Sequence, residues 1–245
     1  MKKTILVLLA ILTIQSCDKD DTDLVCSADC TVVQGQLVTA KGEPLANIPV
    51  TFNYYVGYGI GASIRRIKNT KTDENGNYSM QFFIKDEELG ANAEGLFELN
   101  IDYENLDPEV YMSVDPYYTH AIFSINKRDT IITKDFYNPK KAYITVNLNG
   151  FAPTTDDDFF ELKSAYPTGL KIGDNEFINS EYQLGYDGNK AYATSLNTTL
   201  DSVLVAKSDY NLISISKRKN GGEIVEENHE IFVPENLNVE LNYTY

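Results

Sequence analysis

The chain has 245 residues and a formal net charge of −15, from 36 acidic and 21 basic side chains. Its hydrophobic content of 42% is ordinary for a globular protein and allows one large domain or two small ones. A polyanion repels the phosphates of DNA and RNA, which argues against a nucleic-acid partner.

Residues 1–16 predict a targeting segment. Lys2 and Lys3 precede an apolar run, Ile5 to Leu12, that is shorter than the roughly 20 residues needed to span a bilayer. The following Ile14-Gln15-Ser16-Cys17 resembles a bacterial lipobox, although glutamine is unusual at its position. The resemblance implies cleavage before Cys17 and anchoring by acyl chains on that residue, since one chain alone holds a protein marginally. An ordinary signal peptide with a chance cysteine is the alternative.

Residues 17–30 predict a charged, disordered tether, because this segment has little to bury. Within it, Lys19-Asp20-Asp21 resembles the export signal on surface lipoproteins of Gram-negative gut and oral anaerobes, a lysine followed by two acids. That resemblance implies an outer-membrane protein facing the cell exterior. A plain tether on a protein facing the periplasm is the alternative.

Cys26 and Cys30 are the remaining cysteines. An oxidising envelope permits a disulfide between them, and a turn is needed to bring the sulfurs together. Two free thiols are the alternative. A zinc site is not predicted, because two cysteines without a nearby histidine make half a site.

The segment from Gly35 to Tyr78 has the pattern of strands and turns. Inside it, Ile48, Val50, Phe52 and Tyr54 recur with a period of two, which places them on one face of a strand. The polar run Asp73–Asn77 predicts a turn, since Gly76 adopts positive φ without steric cost.

These residues resemble the carboxypeptidase regulatory-like domain, a transthyretin-like β-sandwich. The glycine-rich insert Val56–Ala62 departs from the family pattern. The resemblance implies a β-sandwich over residues 31–138 that serves as an accessory or interaction module and has no catalytic residues of its own. The matching positions are Gly35, Val38, Gly42, Pro44, Leu45, Ile48, Val50, Thr72, Asp73, Gly76 and Tyr78.

The rest of the chain predicts short strands separated by turns. Asn138–Lys141 reads as a boundary, because proline cannot continue a ladder and strand alternation restarts immediately afterwards. Asn220-Gly221-Gly222 predicts a hairpin. The sequence therefore predicts an all-β chain of two tandem β-sandwiches of transthyretin or immunoglobulin type, with the second over residues 141–245. One large sandwich is the alternative. The predicted strands are Leu96–Tyr103, Tyr117–Ile125, Asp129–Phe136, Phe159–Ala165, Ala191–Leu196, Asp201–Ala206, Leu212–Lys217, Glu223–Phe232 and Asn238–Tyr243.

No catalytic or metal motif stands out. The two histidines, His120 and His229, have no metal-spaced partner, so a surface role is expected for both. We therefore predict no enzyme, no metal and no cofactor. The run Asp156–Asp158 remains open as a solvated loop or a source of calcium ligands.

Tyrosines supply the candidate ligand contacts. Tyr54, Tyr55 and Tyr58 border the glycine-rich insert, and Tyr117 and Tyr118 follow Pro116. Tyrosine on loops suits contact with sugars or proteins, whereas packing in strands is the alternative. The absence of tryptophan counts mildly against sugar.

Two short motifs resemble O-glycosylation acceptors of the same anaerobes. They are Asp129-Thr130-Ile131 and Asp201-Ser202-Val203, with Thr130 and Ser202 as the modified residues.

Together these features predict a lipid-anchored outer-membrane surface protein. It would bind or scaffold an envelope protein complex without catalysis and would touch the membrane only through its anchor. The alternatives are a surface glycan-binding protein of a nutrient-uptake system and a fimbrial or adhesin-type subunit.

Overall fold

The structure is a computed structural model that describes residues 26–39, 42–57, 61–112, 120–171, 183–184, 190–236 and 238–245. Cys17 and the Lys19-Asp20-Asp21 segment lie outside the described residues. Strands dominate and the helical segments are short 3-10 turns, so the predicted all-β class is confirmed.

The first eight strands form two facing sheets. One sheet has the order β8-β1-β4, with β7 also paired to β1, and the other has the order β3-β2-β5-β6. Alternate residues of both sheets point into a shared core in which Phe52, Phe82 and Phe97 pack together. The strands are β1 (Thr31–Val38), β2 (Pro49–Val56), β3 (Ser63–Lys71), β4 (Asn77–Phe82), β5 (Gly95–Ile101), β6 (His120–Phe123), β7 (Ile131–Thr133) and β8 (Asp135–Tyr137).

A second core forms between two further sheets. One has β10 and β15 at its centre, with β16 outside β15 and both β12 and β13 beside β10; the other has the order β14-β9-β17. The predicted hairpin at Asn220–Gly222 is confirmed, because β15 and β16 pair on either side of it. The strands are β9 (Lys141–Asn149), β10 (Phe159–Tyr166), β11 (Gly169–Lys171), β12 (Gln183–Leu184), β13 (Lys190–Tyr192), β14 (Asn197–Ala206), β15 (Asp209–Arg218), β16 (Ile224–Val233) and β17 (Glu240–Thr244).

The division at residues 138–141 needs one correction. The short strand β11 lies beyond that boundary, yet it pairs with β8 and its Leu170 belongs to the first core. The predicted strand Asp129–Phe136 is also two strands, because the chain shifts at Lys134 from the β7 ladder to the β8 ladder. Three-residue strands are too short to show a period in sequence.

The two parts of the chain are joined by polar contacts and a small apolar cluster. Lys140 forms an ion pair with Glu43, and the Tyr137 hydroxyl donates to the carboxylate of Asp209, whose pKa is raised by burial. The cluster contains Met112 from the first part and Tyr166, Leu204 and Ala206 from the second.

The Asp73–Asn77 segment is a turn, as predicted, but it joins strands of different sheets. The Asp73 carboxylate accepts hydrogen bonds from the backbone N–H groups of Asn75 and Asn77, at 2.8 and 2.9 Å. Gly76 has φ +72°, and an added Cβ there would lie 2.4 Å from the Leu37 carbonyl oxygen. The turn is therefore a corner that carries the chain from β3 to β4 across the sandwich.

Gly35 marks a close approach between two backbone segments in the first part. An added Cβ would lie 1.8 Å from the carbonyl oxygen of Lys134 and 2.7 Å from the Tyr78 hydroxyl. That same hydroxyl donates a hydrogen bond to the Lys134 carbonyl. Gly35, Tyr78 and Lys134 thus join β1, β4 and the β7–β8 shift at one point.

We expect Gly35→Ala to lower the free energy of unfolding by about 3 kcal/mol, because the methyl group would push against backbone atoms. Chemical denaturation measures the change. Gly61→Ala is the matched control, since no atom lies within 4 Å of its added Cβ, and it should change stability by less than about 0.5 kcal/mol. Equal stability of the two variants would contradict the close approach.

Candidate functional site

The outward face of the β3-β2-β5-β6 sheet carries an apolar row, defined as Tyr55, Ile64 and Leu96. The three residues are direct neighbours, because Tyr55 pairs with Ile64 on one side and with Leu96 on the other. Ile64 is 41% exposed and Leu96 37% exposed. Ile122, 55% exposed, extends the apolar surface to β6, where it lies opposite Glu98. Outward positions of a half-buried sheet are normally polar, so this row is unusual.

Tyr54 points into the core, so its prediction as a ligand contact is wrong. It is 6% exposed, its ring packs against Phe97 at 5.1 Å, and its hydroxyl accepts a hydrogen bond from the Gly95 N–H at 2.8 Å. Because neighbouring residues of a strand point to opposite faces, burial of Tyr54 is what places Tyr55 outward.

A buried ion pair fixes the strand beside the row. Arg65, opposite Tyr54, donates from Nε to Glu88 Oε1 at 2.7 Å and also binds the second carboxylate oxygen. Glu88 is 3% exposed and accepts a further hydrogen bond from the Lys85 N–H at 3.1 Å. A paired carboxylate in this setting holds β3 to the 3-10 turn Asp86–Glu88, so the row has a rigid support.

The remaining predicted tyrosines, Tyr58, Tyr117 and Tyr118, lie outside the described residues. Their described neighbours are at opposite ends of the sheet. Gly57 follows the end of β2, whereas His120 begins β6 at the level of Thr51, roughly 17 Å away along the strand. The described residues next to the two tyrosine segments therefore lie at opposite ends of the sheet.

A polar cleft of about 540 Å³ lies beside β1 and β4. Gln34, Gln36, Asn77 and Ser79 line it from positions that alternate with core residues. Asp73, Asp135, Lys71 and Thr133 complete the polar lining. This arrangement offers amide, hydroxyl and carboxylate groups to a polar ligand.

In the acidic run Asp156–Asp158, the last residue has a structural role. Asp158 accepts hydrogen bonds from the backbone N–H groups of Gly221, Thr154 and Thr155, at 2.9, 2.7 and 3.1 Å. These donors, with Gly221 the strongest, hold the pKa of the carboxyl well below its usual range. Asp158 therefore ties its loop to the β15–β16 hairpin, and its oxygens are engaged by the protein itself.

Within the described ranges, no group of three or more His, Cys, Asp or Glu residues could hold a metal ion. His229 packs its ring against Tyr243 at 5.0 Å, with Glu227 3.7 Å from its Nε2. No helix in that part of the chain is long and apolar enough to cross a membrane.

The predicted covalent sites fall in different settings. Cys26 and Cys30 are joined by a disulfide, with their Cα atoms 5.6 Å apart. Ser202 is exposed at a bulge of β14, where the pairing with β9 shifts register. Thr130 is half-buried, and its carbonyl accepts a hydrogen bond from the Val32 N–H at 2.9 Å.

The sequence pattern does not single out Ile64, Leu96 and Ile122 as surface residues. In Leu96-Phe97-Glu98-Leu99 only Glu98 is polar, so alternation alone does not reveal which apolar residues face outward. The register with Tyr55 supplies that information.

No protein-family model matches the chain, and no curated protein matches it. Among solved structures, a Streptococcal ancillary pilin is similar at a TM-score of 0.32 and 10% identity, over 89% of this chain and 63% of the pilin. The shaft pilin spaA from Lactobacillus rhamnosus GG gives a TM-score of 0.31 and 12% identity, over 87% of this chain and 96% of that one. A putative adhesin from Bacteroides ovatus gives a TM-score of 0.24 and 11% identity, over 86% and 92%.

This chain spans less than two thirds of the Streptococcal pilin's length. At such TM-scores the similarity carries no argument about this chain's role.

We expect Tyr54→Phe to lower the free energy of unfolding by about 1 to 2 kcal/mol, because the Gly95 N–H would lose its acceptor. Tyr55→Phe is the matched control on the outward face and should have little effect. Thermal or chemical unfolding compares the two. A larger loss for Tyr55→Phe would contradict the assignment of Tyr54 to the core.

Proposed function

We propose that this chain is a non-catalytic, lipid-anchored surface module of the outer membrane that binds or scaffolds another envelope protein. The apolar row is the observation that carries this proposal. It presents one aromatic ring between two aliphatic side chains on a sheet face whose other side is a packed core.

The chemistry of the row favours a protein surface as the partner. Exposed apolar residues that touch one another mark interaction sites more often than isolated ones do. Tyrosine is enriched among residues that dominate binding energy, and a polar rim normally surrounds it. Arg66, Glu98 and Asn100 supply such a rim on the neighbouring outward positions.

The family resemblance and the N-terminal motifs support the rest of the proposal. A carboxypeptidase regulatory-like domain is an accessory module, which agrees with a scaffolding role. Lipidation at Cys17 would anchor the chain, and the Lys19-Asp20-Asp21 segment would direct it to the cell exterior.

Glycan capture is the second candidate, and the polar cleft beside β1 and β4 is the observation that favours it. Its amide and carboxylate groups suit the hydroxyls of a sugar. The cleft is lined mainly from β1 and β4 and shares no residue with the apolar row, so variants distinguish the two surfaces. The fimbrial alternative needs a strand donated to another subunit. The last strand, β17, already pairs with β9 of the same chain, which argues against its donation.

We expect Leu96→Glu to abolish co-purification of the envelope partner after cross-linking on intact cells, because a charge would have to be buried in the contact. Leu196→Glu is the matched control, since Leu196 is 59% exposed and belongs to the other part of the chain. The same partner should be captured with the control and the wild type. Capture that survives Leu96→Glu contradicts the row, and retention on polysaccharide gels with that variant would favour the cleft.

We expect protease treatment of intact cells to cut the wild-type protein and to spare the variant Lys19→Ala/Asp20→Ala/Asp21→Ala, because the export signal would be lost. Immunoblotting measures the intact fraction, with cell lysis as the control for intrinsic cleavage. Protection of both proteins would place the chain on the periplasmic side and contradict surface exposure.

A further inference from the structure

Two long edge strands of this chain carry opposite charges. In nine residues, β3 holds Arg65, Arg66, Lys68 and Lys71 and no acid. In ten residues, β16 holds three glutamates, Glu226, Glu227 and Glu230, and no lysine or arginine. A strand with four basic residues is conspicuous in a chain whose net charge is −15.

Among the strands that the structure describes, both are outermost in their sheets. The described neighbour of β3 is β2, and that of β16 is β15. An edge strand presents backbone N–H and C=O groups along one side, and an extended segment can add to it. The β15–β16 ladder is regular over all ten residues. The register of β3 skips Ile67, which leaves Lys68–Lys71 as an unbroken stretch.

Some of the strand charges are already committed within the fold. Arg65 turns inward to Glu88, and Glu227 forms an ion pair with Lys217 at 2.8 Å. Arg66 and Glu230 also have interaction partners within the fold. The side chains of Lys68 and Lys71 on β3, and of Glu226 and Glu230 on β16, belong to exposed residues. These four residues give the two edges their contrasting surface charge.

We propose that β3 of one copy of this chain adds to β16 of a second copy, edge to edge. Opposite charges across paired strands are favourable, and like charges directly opposite are unfavourable. Pairing of β3 with β3 or of β16 with β16 is therefore opposed. The remaining contact joins the basic edge of one copy to the acidic edge of another, so the assembly is either closed, as a pair or a larger ring, or an open chain.

Charged edge strands also have a simpler role, since charge of either sign discourages aggregation. Protection from aggregation alone does not require one edge to be basic and the other acidic. The opposite charges of the two edges are what favours their pairing with each other. The apolar row shares β3 through Ile64, but it faces outward from the sheet and contains neither exposed lysine, so it takes no part in this argument.

Charge exchange tests the proposal. Sedimentation velocity of the full-length chain, over a range of concentrations at about 0.15 M salt, should show self-association of the wild type. Lys68→Glu/Lys71→Glu makes the exposed charges of both edges negative, and Glu226→Lys/Glu230→Lys makes the exposed charges of both edges positive. Each should weaken self-association by roughly tenfold or more. A mixture of the two variants, and the chain that combines all four substitutions, should associate again.

The control Glu104→Lys/Glu109→Lys makes the same change in net charge as Glu226→Lys/Glu230→Lys, at exposed positions outside both edges. It should associate as the wild type does, and circular dichroism should show every variant folded. A wild type that stays monomeric at all concentrations overturns the proposal. So does a failure of the mixture to associate, or a control as weak as the edge variants. Loss of association in Leu96→Glu alone would move the interface to the apolar row.

Discussion

The first sheet depends on the close approach of Gly35 to the Lys134 carbonyl. A Cβ at position 35 would overlap that oxygen, so glycine is what allows β1 to lie between β4 and the β7–β8 pair. The Tyr78 hydroxyl donates to the same carbonyl and so ties β4 to the point where β7 passes into β8. Gly35 and Tyr78 are two of the positions that resemble the carboxypeptidase regulatory-like pattern, and both serve one contact.

The strand that this contact holds in place, β8, also connects the first part of the chain to the second. On the side away from β1, β8 pairs with β11, which brings Leu170 into the first core. Tyr137 at the end of β8 donates to Asp209, and Lys140 just beyond it reaches back to Glu43. The junction is thus an extension of the first sheet, and the two parts share backbone pairing as well as side-chain contacts.

Sequence reasoning succeeded where short-range chemistry decides the structure. The alternation from Ile48 to Tyr54 and the glycine turns at Gly76 and Gly221 are local signals, and strands and turns form where they indicate. It failed where a partner distant in the chain decides. Nothing near Gly169 indicates pairing with β8. The alternation puts Tyr54 on the face of Phe52, and its position next to the glycine-rich insert is what suggests a ligand contact. The Gly95 N–H and the Phe97 ring, both distant in the chain, fix it in the core. The apolar row was missed for the same reason, since its three members come from three strands.

The surface features act against the background of a strongly acidic chain. Net repulsion between two copies at −15 each opposes any contact that lacks local attraction. Salt at about 0.15 M screens charges beyond about 8 Å, so distant repulsion is damped while pairs in contact across two strands are screened much less. An acyl anchor at Cys17 would confine copies to one membrane surface and raise their effective concentration. Confinement would therefore strengthen the association that the paired edges already give in solution, because it supplies a proximity that charge alone does not.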